Sequence, residues 1–91
     1  MRFRGGIERS DPTKVSDQDF VAAVVDVVEL AQDGIRVSPA VESLLHAIAI
    51  TRTEQRRHEL AEQARVRAEQ NVGTLSAVSL QLLRVAIFAL A

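Results

Sequence analysis

The sequence predicts an all-α fold, a hairpin or bundle of three or four helices completed by self-association. Three observations carry this expectation. Apolar residues recur with helical and not alternating spacing through residues 15–50 and again through 74–91. Ser16, Ser38 and Thr74 stand before apolar runs as N-caps, and Gly34 and Gly73 stand after helical stretches as terminators. The last stretch, Thr74 to Ala91 (TLSAVSLQLLRVAIFALA), is apolar round nearly its whole helical circumference, so protein or lipid must enclose it.

At 91 residues the chain is one domain at most. A domain of that size buries only ~60–65 % of its unfolded surface, and association is a common remedy. A hydrophobic share of 47 % places it among globular and not disordered chains. The net charge of −1 exerts no global pull on nucleic acid or an anionic membrane. Without cysteine there is neither a disulfide nor a thiolate metal site. The only aromatics are Phe3, Phe20 and Phe88, too few for a base-stacking surface. The basic start MRFRGG is not followed by the apolar run of a signal peptide, so a cytoplasmic location is expected.

Residues 1–14 mix charge, glycine and proline without a period and read as a flexible basic arm ahead of a single helical domain, 15–91. The first helix is expected over 17–33. Ser16 caps it, Val15 and Phe20 are spaced as a hydrophobic staple, and Gly34 ends it. Its acids Asp19, Asp26, Glu29 and Asp33 fall on one narrow side, leaving a wide apolar arc. A second helix opens at Ser38-Pro39, cap then proline. No further Gly or Pro appears before Gly73, yet Val41, Leu44, Leu45 and Ile48 lie opposite Leu60, Ala61, Ala64 and Ala68 on one continuous rod. A break near 50–53 is therefore favoured, with Thr51 and Glu54 at capping-box spacing, giving helices over 39–50 and 53–70. The latter is densely charged around a thin seam of alanine. After a turn at 70–73 the final helix is expected over 75–90.

No motif for catalysis, a cofactor or a metal assembles, and the chain is read as non-enzymatic with no cofactor. Glu42/His46 and Glu54/His58 stand one helical turn apart, but two ligands do not make a site. Membrane insertion is disfavoured, because Leu75–Ala91 is at the lower length limit and contains Arg84. The expected function is that of a small assembly or interaction module. Its intersubunit core would comprise Phe20, Val24, Val27 and Val28 from the first helix with Leu75, Val78, Leu82, Leu83, Val85 and Phe88 from the last. The expected partner is a second copy, a dimer being simplest, or another protein. Segregated charge offers an electrostatic face for partner selection: Asp19, Asp26, Glu29 and Asp33 against Arg52, Arg56 and Arg57. One alternative is a dimeric nucleic-acid-binding regulator using Arg2, Arg4 and the arginines of 53–70. Another is a subunit of an open polymer, the acidic helix of one copy meeting the charged helix of the next.

Overall fold

A computed structural model describes residues 11–87, with the side chains of 85–87 outside that description. The described residues form four α-helices and no strand: α1 (Asp17–Gln32), α2 (Pro39–Ala49), α3 (Glu54–Val72) and α4 (Ala77–Ile87). One 3-10 turn, Pro12–Lys14, precedes them, where the sequence reads as arm. Asp11 caps that turn by accepting from the Thr13 N–H at 2.9 Å.

Helix α1 is the hub. Ser16 accepts from the Asp19 N–H at 3.1 Å, and Asp17 and Asp19 place negative charge in the first turn, where the helix dipole favours it. Val15 and Phe20, the expected staple, are both buried in the core. The helix ends in a Schellman motif: Ile35 N–H donates to the Leu30 carbonyl at 2.9 Å and Gly34 N–H to that of Ala31 at 3.0 Å. That closure needs a left-handed residue, and Gly34 supplies it at φ 80°. Phe20, Val21, Ala23, Val24, Val25, Val27 and Val28 are all buried, so the wide apolar arc of α1 is enclosed within the chain.

The packing partners of α1 are α3 and α4. Helix α3 presents Leu60, Ala61, Ala64 and Ala68, and the small side chains of the three alanines let the two backbones approach closely. The helices run parallel, since Asp17 meets Arg56 at their starts and Glu29 meets Asn71 at their ends. Helix α4 runs back along α1: Ser79, near its start, lies over the Val28 carbonyl near the end of α1. Helix α2 packs on α4 and sets Leu45 and Ile48 into the same core.

The rod over 39–70 is broken between Ala49 and Glu54, the reading the opposed apolar faces favour. The cap differs from expectation: Thr53, and not Thr51, accepts from the Arg56 N–H, at 3.1 Å. Thr51 is occupied otherwise, its hydroxyl donating to the Ile48 carbonyl at 2.6 Å and tying off α2. Helix α3 continues through Asn71 and Val72, which the sequence assigns to a turn, and Gly73 at φ 83° and ψ −150° alone ends it. That backbone region is close to glycine-only. Helix α4 starts later than expected, with Ser76 and not Thr74 accepting from the Ser79 N–H at 3.2 Å.

Candidate interaction surface

Three clusters stand out, two polar and one apolar and open. The polar cluster gathers where α1 and α3 begin. Arg52 is only 12 % exposed at its side chain. Its Nε donates to Asp17 Oδ1 at 3.1 Å, its Nη1 to the Ile48 carbonyl at 3.2 Å and its Nη2 to the Val15 carbonyl. The guanidinium carbon also lies 5.7 Å from the centre of the Phe20 ring, within cation–π range. Arg56 donates to Asp17 Oδ2 through Nε at 3.0 Å and Nη2 at 2.6 Å, and reaches Glu59 with Nη1 at 2.5 Å. Arg57 donates to the Arg52 carbonyl at 2.8 Å. One arginine thus ties the chain before α1, the end of α2 and the core aromatic together.

Of the charges expected to select a partner, the three arginines and Glu29 are engaged inside one chain. Arg52 and Arg56 share Asp17, and Glu29 accepts from Asn71 Nδ2 at 2.6 Å. Asp19 and Asp26 are half-buried and Asp33 is exposed. Asp17, outside the expected charged face, is the acid that matters here. Sequence could have pointed to it only through its place in the first turn after a cap.

The hydrogen bonds to Arg56, joined by those to Arg52, hold the Asp17 carboxyl below its ordinary value of 3.8. A depressed folded-state pKa contributes stability that is fully present above the unfolded value and is lost as pH falls through the folded one. Asp17 is 36 % exposed, so solvent screening limits the contribution to that of a surface pair, about 1 kcal/mol. Asp17→Asn is accordingly expected to lower stability by about 1 kcal/mol at pH 7. Denaturant titrations of both proteins should converge as acid protonates Asp17. A gap unchanged between pH 7 and the acid limit would contradict the ion-pair account.

A second polar knot locks α4. Gln32 Nε2 donates to the Thr74 carbonyl at 3.1 Å, while its Oε1 accepts from the Ser76 N–H and the Ser79 hydroxyl, both at 2.9 Å. Ser79 is fully buried, and these contacts satisfy it. Ser79 reads in sequence as a polar interruption of an apolar helix, but it marks the inner face. Leu75 and Leu83 flank it there, also buried.

The open cluster lies outside this knot. Ala31, Ile35, Val37, Ala77, Val78 and Leu82 line a groove of about 780 Å³ between the end of α1, the link to α2, and α4, with Arg36, Glu42 and Gln81 also lining it. Val78 is 68 % exposed and Ile35 51 %, an unusual standing for large apolar side chains that sit together.

The expected interface residues thus divide three ways. Phe20, Val24, Val27 and Val28 are buried within the chain, with Leu75 and Leu83. Val78 and Leu82 line the groove. The Val85 side chain and Phe88 lie outside the described residues, as do Arg2 and Arg4. Ile35 and Val37, in a link without helical period, were not legible as surface.

Of the two Glu/His pairs, Glu54 and His58 approach to 4.0 Å. Among the described residues, no three His, Asp or Glu side chains gather as a metal site would need. Among them, too, no helix is long and apolar enough to cross a membrane. No family model, curated protein or solved structure matches the chain.

Proposed function

We propose that this chain is a small, non-enzymatic helical interaction module that works as a homodimer, joined through the outer face of α4 and the end of α1. The observation that carries this reading is the exposed Val78 standing beside an apolar groove. A protruding apolar side chain next to a concavity is the self-complementary pattern an isologous dimer needs, each copy filling the other. Burying a Val-sized side chain contributes about 1.5–3 kcal/mol, and twofold symmetry counts every contact twice.

The hydroxyl groups favour a structural over a catalytic role. Ser16, Ser38, Thr53 and Ser76 accept from backbone N–H groups at helix starts, and Ser79 belongs to the Gln32 knot. A nucleic-acid regulator would call on Arg52, Arg56 and Arg57, whose guanidinium groups bond to Asp17, Glu59 and backbone carbonyls of the same chain. An open polymer built on α1 meeting α3 would call on Arg52 and Arg56, which already pair with Asp17 of α1 within the chain.

Light scattering coupled to size exclusion tests the reading. The mass expected at micromolar concentration is twice the 10.0 kDa of the chain. A constant single-chain mass up to the highest concentration reached would overturn it.

A further inference from the structure

We propose that Arg36 and Glu42 set the register of the dimer by pairing crosswise, Arg36 of one protomer on the partner's Glu42 and the reverse. This rests on the homodimer reading above and specifies how its two surfaces align.

Both residues line the groove, beside Val78, Ile35 and Leu82. They carry opposite charges, and neither has an ion-pair partner among the described residues. That sets them apart from Arg52, Arg56 and Arg65, which are each paired within the chain. In a twofold interface, any residue that meets a second across the axis is met by it in return. A single patch must then carry both signs, as this one does. A head-to-tail polymer has no such need, since its two complementary charges lie on separate surfaces. The apolar lining adds to the effect: when Val78 is covered, water leaves the groove and the crossing charges are screened less. Matched pairs would then favour one alignment, and a slipped alignment would leave charges against apolar side chains.

Charge reversal in trans is the test, read as the dimer dissociation constant from sedimentation on dilution. R36E and E42R each place two like-charge crossings in their own homodimers, and each is expected to weaken association roughly tenfold or more. Mixing the two variants in equal amounts restores opposite charges at both crossings, so the mixture should associate about as tightly as the wild type. If the wild type is a dimer but both variants dissociate as it does, the crosswise pairing is overturned and the dimer stands. A mixture no tighter than the single variants also overturns the pairing. A monomeric wild type overturns both.

Discussion

Replacing Leu83 by glutamate should unfold the chain. Leu83 is 5 % exposed and lies on the face of α4 that packs into the core shared with α1. An ionised carboxylate there loses its hydration among the apolar side chains of the core. The substitution also removes a buried leucine, worth about 2–5 kcal/mol with the cavity it leaves. Together these effects match or exceed the whole stability of a small domain, about 5–15 kcal/mol. The expected result is loss of the cooperative thermal transition followed by circular dichroism. A variant that melts cooperatively within a few degrees of the wild type would show that α4 does not pack as described.

The same substitution at Val78 has a different consequence, because the two residues stand on opposite sides of one helix. Five residues at 3.6 per turn turn the side chain by about 140°. Sequence alone does not separate them. Thr74–Ala91 is apolar round nearly its whole circumference, so no narrow stripe marks the inward face, and both residues enter the expected interface on equal terms. What orients α4 is Ser79, whose hydroxyl finds Gln32 only once α1 and α4 have met.

Local chemistry made much of the fold legible. Ser16, Ser38, Gly34, Gly73 and the Val15/Phe20 staple all act where their backbone preferences place them. The departures come where a tertiary contact overrules a local preference. Gln32 holds Thr74 and Ser76 by their backbone and delays the start of α4. Asn71, a weak helix former, stays helical with its amide on Glu29. Thr51 closes α2 where a capping box is spelled out, leaving Thr53 to open α3. The alanine seam of α3 is thin, yet its small side chains permit the close contact that helps bury α1.

For the interaction surface, periodicity located Val78 and Leu82 but could not reveal the groove. That concavity forms where the link at 34–37, the start of α2 and α4 come together. Residues separated by some forty positions have no shared pattern until the chain folds.

The direct test of the central claim is the mass of Val78→Glu. Val78 is 68 % exposed in the single chain, so the substitution should change folding stability by less than about 0.5 kcal/mol. In the dimer it would drive a carboxylate into the apolar groove of each partner. Light scattering is expected to give the wild-type dimer mass and, for Val78→Glu, the 10.0 kDa of one chain, with circular dichroism and melting temperature unchanged. A Val78→Glu protein that keeps the wild-type dimer mass would contradict the assignment of this face as the interface.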